Sequence, residues 1–103
     1  MERFQLNGFP AFSVKLSDET TVAYLDFCPH KGRPITANGF KVERDNIVCP
    51  FHFAKFDLKT GTLVEAPISK TPCMPPCRLV KVIFNGKNEP VGFDSEPRMP
   101  QMP

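Results

Sequence analysis

Hydrophobic and polar positions alternate over short stretches of the chain, a pattern typical of strands. Between residues 11 and 16 every second position is apolar, with Phe12, Val14 and Leu16 on one face. The polar residues 17–20 supply a turn, and 21–27 is rich in β-branched and aromatic residues. These two stretches are therefore predicted to form a hairpin.

Further along the chain the same kind of pattern predicts three more pairs of short strands around polar turns. The pairs are 40–43 with 46–49, 55–58 with 62–64, and 79–84 with 91–93. A helical bundle is disfavoured because the 12 prolines leave few uninterrupted stretches, and a proline inside a helix breaks it. The sequence predicts an all-β fold.

The length of the chain bounds its organisation. Its 103 residues suit one domain, so 1–103 is predicted to be a single unit. Four prolines punctuate the polar range 88–103, which is predicted to be an extended or frayed C-terminal tail.

Charge and hydropathy exclude two classes of partner. The net charge is only +2 and no lysine or arginine cluster stands out, so no nucleic-acid partner is expected. No apolar run approaches the ~18 residues of a membrane span, so no membrane partner is expected either. The first residues show no secretory signal, which predicts a cytoplasmic protein with reduced thiols. Its four cysteines then indicate metal or redox chemistry.

Two short motifs bring cysteine and histidine together. Cys28-Pro29-His30 is followed, after 18 intervening residues, by Cys49-Pro50-Phe51-His52, and these are the only two histidines. Three metal sites fit residues of these types: a tetrahedral zinc, a four-cysteine cluster that also uses Cys73 and Cys77, or a 2Fe–2S cluster with mixed ligands. The Cys-x-His step is tighter than the gap usual for a single zinc ion, which favours the third.

At these residues the sequence resembles the Rieske iron–sulfur family, and within it the small soluble ferredoxins. The resemblance covers about residues 20–86 and includes the segment 28–35 and the hairpin that follows His52. It implies Rieske-like antiparallel sheets with a small cluster-binding subdomain, formed by two β-hairpin loops within about residues 28–67. It also implies that a 2Fe–2S cluster is bound by Cys28, His30, Cys49 and His52.

Residues beside these motifs are expected to support the cluster rather than bind it. This supporting set is Gly32, Pro34, Phe51, Ala54, Phe56 and Pro67. High-potential members of the family resemble one another in two hydroxyl donors, at the positions that Ala54 and Phe56 occupy here. Since neither residue has a hydroxyl, the resemblance implies a low reduction potential.

The sequence also departs from the family pattern. Phe53 stands where a glycine is common, and since a phenylalanine does not readily adopt a positive φ, a locally different loop is expected. Arg33 and Phe51 occupy the positions of the two extra cysteines that form a disulfide in respiratory members. Cys73 and Cys77 are predicted first to be ordinary small apolar side chains, and second to form a local disulfide.

The surface around the cluster is expected to meet redox partners. The resemblance implies that His30 and His52 face solvent, inside an apolar collar of Pro34, Pro50, Phe51 and Met74. Such a collar is typical of the small docking patches of transient redox partners.

The function expected from the resemblance is one-electron transfer. Both histidines are assigned to the cluster, so none is left for a mononuclear iron site, and no nucleotide-binding fingerprint is present. We expect a monomeric electron carrier, not an enzyme, that takes electrons from a reductase and passes them to an acceptor such as an oxygenase. The alternatives are a small Rieske subunit of a nitrite reductase-like complex and a structural zinc module.

Overall fold

The computed structural model of the chain describes residues 1–30, 32–36, 40–70, 73 and 77–100. Within these ranges all regular structure is β-strand, in antiparallel pairs, which confirms the predicted all-β class. In chain order the strands are β1 (Glu2–Leu6), β2 (Phe9–Lys15), β3 (Thr21–Leu25), β4 (Lys41–Glu43), β5 (Asn46–Val48), β6 (Lys55–Asp57), β7 (Leu63–Glu65), β8 (Val82–Phe84) and β9 (Pro90–Phe93). Among the residues described, no helix has the length and hydrophobicity needed to cross a membrane.

Strands β1, β2 and β3 form a three-stranded sheet in that order. The predicted β2–β3 hairpin is confirmed, and the side chains of Phe12, Val14 and Leu16 are all buried. Strand β1 was not predicted from the sequence. It pairs with β2 through a tight turn at Asn7 and Gly8, both of which have positive φ, as the favoured two-residue hairpin turn requires.

Strands β4 to β7 form a four-stranded sheet in chain order. The β4–β5 turn at Arg44 and Asp45 lies where the sequence predicts it, and both residues have positive φ. The β6–β7 connection ends at Gly61, whose φ of 82° is open to glycine at little cost. This sheet contributes the segment between β5 and β6, which carries the second Cys–His motif.

One segment joins the two sheets. Along residues 78–81, Arg78 bridges to Thr62 and Lys81 bridges to Tyr24, so that the segment is bonded to both. Strands β8 and β9 then form a two-stranded sheet. The range 88–103 was predicted to be a tail, but its residues Pro90–Phe93 form strand β9 and pair with β8.

The main core lies between the sheets. The hydroxyl of Tyr24 in β3 donates a hydrogen bond of 2.7 Å to the carbonyl of Leu58, just after β6, and thereby ties the two sheets together. The buried members of this core are Phe12, Val14, Leu16, Val22, Tyr24, Cys28, Ile35, Ile47, Cys49, Ala54, Phe56, Leu58 and Leu79. Both motif cysteines are therefore at the edge of a continuous apolar core.

Candidate metal centre

Two loops carry the Cys–His motifs. Loop 1 is Cys28–Arg33, which follows β3, and loop 2 is Cys49–Ala54, which joins β5 to β6. Lys31 lies outside the described residues. The loops come from different sheets, and the fold brings the two motifs together although 18 residues separate them in sequence.

The two loops share one backbone hydrogen-bond pattern. In loop 1 the N–H of Gly32 donates to the carbonyl of Cys28 at 2.7 Å, and the N–H of Cys28 donates to the carbonyl of Arg33 at 2.8 Å. In loop 2 the N–H of Phe53 donates to the carbonyl of Cys49 at 3.0 Å, and the N–H of Cys49 donates to the carbonyl of Ala54 at 2.8 Å. In both loops the cysteine thus accepts a hydrogen bond from the fourth residue after it and donates one to the fifth.

This closure needs a left-handed residue at the fourth position after the cysteine. Gly32 has φ of 72° there, and Phe53 has φ of 61°. The expectation of a different loop at Phe53 is therefore wrong, because the phenylalanine adopts the conformation that glycine adopts in loop 1. The two hydrogen bonds of loop 2 hold the backbone in that region despite its cost of about 1–2 kcal/mol for a residue with a Cβ. The ring itself lies outside the core, with 55% of the residue exposed.

The two motif cysteines lie side by side in the core as buried thiols. A hydrogen bond from the Cys28 thiol lowers the pKa of Cys49 to about 7, against the opposing effect of burial. The backbone N–H groups of Phe51 and His52 and the charge of Arg33 contribute to this lowering of the Cys49 pKa. The site therefore stabilises negative charge on sulfur, as a metal-binding thiolate requires.

The two histidine rings also meet. Their centroids are 5.0 Å apart and the rings are perpendicular. His52 is partly exposed, whereas His30 is only 9% exposed and its Nδ1 atom is buried. The expectation that both rings face solvent is wrong for His30, which is buried and has the ring of His52 against its own.

A contact between side chains spans the two loops. The guanidinium carbon of Arg33 in loop 1 lies 5.1 Å from the centre of the Phe51 ring in loop 2, within the range of a cation–π interaction. At the positions where respiratory members of the family carry a disulfide, this chain has a non-covalent contact instead. Both residues are half-buried, so the contact covers the loops without filling the core.

A third segment packs against loop 2. After β7, the N–H of Ile68 donates a hydrogen bond of 2.7 Å to the carbonyl of His52, and the half-buried Pro67 directly precedes Ile68 in the chain. Of the predicted collar, Pro34, Pro50 and Phe51 are half-buried, and Met74 lies outside the described residues. Ala54, the last residue of loop 2, and Phe56 in β6 are fully buried.

A buried polar chain behind loop 1 was missed by sequence reasoning. Arg3 of β1 bonds to Thr36, and Thr36 bonds through both its N–H and its hydroxyl to the carboxylate of Asp26. These residues are up to 33 positions apart, and no local pattern links them. The only available signal was an acid two residues before Cys28 in an otherwise apolar stretch.

Cys73 and Cys77 are joined by a disulfide, with their Cα atoms 5.7 Å apart. The preferred expectation of two ordinary apolar side chains is therefore wrong, and the second one is confirmed. Cys77 also packs against the main core. Neither sulfur of this pair is available as a metal ligand while the disulfide is intact.

The family model that describes the Rieske [2Fe-2S] domain matches residues 1–83 of this chain. The chain belongs to this family, whose members bind a 2Fe–2S cluster. The residues present suit such a cluster, since two buried sulfurs lie together and two imidazoles lie together.

Known proteins of two sizes resemble the chain. The ferredoxin of carbazole 1,9a-dioxygenase from Nocardioides aromaticivorans IC177 matches with a TM-score of 0.57 and 25% identity, over 94% of this chain and 84% of the ferredoxin. The terminal oxygenase of the same system matches with a TM-score of 0.69 and 20% identity, over 94% of this chain but 27% of the oxygenase. Cholesterol 7-desaturase nvd 2 of Ciona intestinalis is 41% identical over 44 residues, which are 43% of this chain. The chain spans only a tenth of that desaturase.

Proposed function

We propose that Cys28, His30, Cys49 and His52 hold one 2Fe–2S cluster and that the chain is a one-electron carrier. The observation that carries this proposal is that the cysteine of one loop lies beside the cysteine of the other, and the histidine of one beside the histidine of the other. The two loops also have the same backbone hydrogen bonds. The sulfurs of Cys28 and Cys49 are hydrogen-bonded, and the His30 and His52 rings lie 5.0 Å apart. Each loop thus offers one sulfur and one nitrogen, as a cluster with two cysteines on one iron and two histidines on the other needs.

A bound cluster of this type accepts and releases a single electron at potentials of roughly −150 to +300 mV. The residues of the chain then determine how exposed it is. The buried thiols and His30 exclude water from the inner side, while the partly exposed His52 marks the side from which an electron would enter or leave. A carrier needs this arrangement, because electron exchange requires close approach without dissociation of the cofactor.

The geometry suits a cluster better than one tetrahedral zinc ion. Within the described part of the chain, no three His, Cys, Asp or Glu side chains converge as a single-ion site requires. A structural zinc normally takes four protein ligands, whereas each iron of a Rieske cluster takes two. The paired ligands described above fit the second requirement.

For partners, we propose a reductase as electron donor and an oxygenase as acceptor, with the chain acting as a monomer in the cytoplasm and turning over no substrate itself. The support is the match to the ferredoxin of a dioxygenase, most of whose length the chain covers. The exposed edge of the site fits brief contact with two successive partners, since transient redox encounters use small surfaces.

A second candidate function is favoured by a separate observation. Strands β8 and β9 expose three apolar side chains, those of Ile83, Phe84 and Val91. Exposed apolar side chains on one small sheet are suited to packing against further protein, and the chain also matches the terminal oxygenase. The chain would then be the Rieske part of a larger oxygenase assembly.

The cluster assignment is tested on protein purified with iron and sulfide, by metal analysis, visible absorption and electron paramagnetic resonance of the reduced state. We expect two irons per chain and a Rieske spectrum. His52→Ala and Cys28→Ser should lose both, whereas Phe53→Ala, beside His52, and the double serine variant of Cys73 and Cys77 should keep them. Full iron with an unaltered spectrum in His52→Ala would refute the ligand set.

The role of the chain is tested by sedimentation of native material and by electron delivery. A carrier sediments as a monomer and passes electrons from a ferredoxin reductase to a separate Rieske oxygenase. A stable complex with an oxygenase subunit at all concentrations would favour the second candidate. The Val91→Lys variant separates the two, because it disrupts only the packed assembly.

A further inference from the structure

A continuous chain of hydrogen bonds joins two opposite charges through one threonine. The guanidinium of Arg3 donates from Nε to Thr36 Oγ1 at 3.1 Å and from Nη2 to the Thr36 carbonyl at 2.6 Å. The Thr36 N–H donates to Asp26 Oδ1 at 2.9 Å, and its hydroxyl donates to Oδ2 at 2.5 Å. Both carboxylate oxygens of Asp26 therefore have a donor, and Arg3 offsets the charge from the far side of Thr36.

Two of the three residues, Asp26 and Thr36, are buried, where an unpaired charge is expensive, whereas Arg3 is exposed. Asp26 is 6% exposed and Thr36 is 3% exposed. Burying a carboxylate destabilises the folded state by several kcal/mol unless the carboxylate is paired and hydrogen-bonded. Stability alone therefore does not explain why an aspartate occupies this position. The backbone N–H of Asp26 also donates to the carbonyl of Pro10, which ties the acid to β2.

The location of the chain relates it to the metal centre. Asp26 lies two residues before Cys28, and Thr36 lies three residues after Arg33, so the pair brackets loop 1 at its base. Arg3 reaches this base from β1. The buried negative charge of Asp26 and the exposed positive charge of Arg3 are thereby held in fixed positions at the base of loop 1.

We propose that the Arg3–Thr36–Asp26 chain sets the reduction potential of the cluster, with Asp26 lowering it, Arg3 raising it and Thr36 positioning both. The inference rests on the proposed function. A reduced cluster carries one more negative charge, so a fixed anion nearby disfavours reduction and a fixed cation favours it. The carboxylate of Asp26 is buried and so is screened less than a surface charge, while Arg3 is exposed but held in place by its two hydrogen bonds to Thr36.

The two ends of the chain are tested separately by mediated redox titration of the cluster-bound protein. Asp26→Asn should raise the midpoint potential of the cluster and Arg3→Gln should lower it. Each substitution should change the equilibrium constant for one-electron reduction by at least about threefold, which corresponds to a shift of ~28 mV. Controls matched for net charge are Glu2→Gln on β1 and Lys15→Gln on β2, both exposed, and neither should move the midpoint. Arg3→Lys retains the charge and should restore the wild-type value.

The opposite signs separate charge from mere loosening. If the chain only held loop 1 in shape, breaking either end would loosen the same loop, and the midpoint would shift in one direction for both variants. Shifts of one sign, or no shift, overturn the inference while a normal wild-type spectrum keeps the proposed function. A wild type without a Rieske spectrum refutes the proposed function and this inference with it. Should Asp26→Asn not fold, the Arg3→Gln and Arg3→Lys pair decides alone, since Arg3 is exposed.

The role of Thr36 is tested on two backgrounds. Thr36→Ser keeps the hydroxyl, and Thr36→Val keeps the shape without it. Arg3→Gln should lower the midpoint on the Thr36→Ser background as in the wild type. It should lower it by less on the Thr36→Val background, where Arg3 has lost its hydrogen bond to the Thr36 hydroxyl and keeps only the one to the carbonyl. An equal effect on both backgrounds overturns the positioning role.

Discussion

Gly32 and Phe53 are equivalent residues in two loops of one backbone form. Each donates its N–H to the carbonyl of the cysteine four positions earlier, and each has a left-handed φ, of 72° and 61° respectively. The fold therefore makes the same demand on both residues, and only one of them is a glycine. The backbone hydrogen bonds of loop 2 outweigh the intrinsic preference of phenylalanine.

The first prediction compares substitutions at this pair. Phe53→Gly removes the left-handed strain from the folded state. Glycine also makes the unfolded chain more flexible, which cancels part of this benefit, so the free energy of unfolding should rise by up to about 1 kcal/mol. Gly32→Ala should cost at least about 1 kcal/mol, because its Cβ would also lie 3.1 Å from the Phe27 ring. Denaturant unfolding followed by visible circular dichroism measures both. Phe53→Ala removes the ring but keeps the strain, so a gain in that variant would contradict the explanation.

The contact between Arg33 and Phe51 should hold the two loops together. A double-mutant cycle of Arg33→Met and Phe51→Leu is expected to give a coupling free energy of about 0.5–1 kcal/mol, the usual value for a cation–π pair near the surface. Each variant should also speed the loss of cluster absorbance in mild denaturant. Additive effects of the two substitutions would show that the side chains act independently.

A hydroxyl placed behind loop 2 should raise the reduction potential. Ala54 is buried next to the hydrogen bond that closes loop 2, so Ala54→Ser places a donor near Cys49. A hydrogen bond to a charged group is worth about 1.5–3 kcal/mol, which sets an upper limit of roughly 65–130 mV, and tens of millivolts are expected. Protein-film voltammetry compares it with Ala66→Ser in the exposed third segment. An unchanged midpoint in a folded Ala54→Ser protein would mean that the hydroxyl does not reach sulfur. Phe56→Tyr is less suitable, since Phe56 is packed in the core.

Stability should fall at high pH because of Tyr24. Burial, together with the nearby charges of Asp57 and Asp94, raises the pKa of Tyr24 to about 12. The unfolded chain titrates near pH 10, so the folded state holds the proton more tightly, and stability present below pH ~10 is lost as the pH rises towards 12. The loss is on the order of 2 kcal/mol. Tyr24→Phe loses the hydrogen bond to Leu58 and should therefore be about 1 kcal/mol less stable at neutral pH. Since the variant has no phenol, its free energy of unfolding should not show the fall between pH 10 and 12 that is assigned to Tyr24. Parallel pH profiles of the two proteins would rule Tyr24 out.

The disulfide should be independent of the metal centre. Joint replacement of Cys73 and Cys77 by serine is expected to leave iron content and spectrum unchanged and to lower stability by about 2 kcal/mol, the loop-closure value for so short a link. Thiol titration of unfolded protein before and after reduction checks the link itself. Loss of iron in the double variant would assign these cysteines to the site.

The local pattern was sufficient to predict most of the hairpins and both motifs. Alternation gave β2 and β3, and polar turns placed the β4–β5 and β6–β7 connections. Strand β1 was missed because its polar residues hide the alternation of Phe4 and Leu6, although Asn7-Gly8 is a strong hairpin signal. The two Cys–His motifs were visible because the spacing within each motif is local.

Features that depend on tertiary structure could not be predicted. The bond from Arg3 to Thr36 joins residues 33 positions apart, so it exists only once β1 lies beside loop 1. The burial of His30 depends on the ring of His52, which comes from another sheet. The conformation of Phe53 follows from the closure of loop 2, which overrides residue preference.

The non-covalent closure between Arg33 and Phe51 has a consequence for maturation. A cation–π contact can open and re-form without any change in covalent bonding, so the two loops are joined at this point by a reversible link. No thiol has to be reduced first and none has to be oxidised afterwards at this position. Entry of the proposed cluster between the loops would therefore require no redox step at this contact.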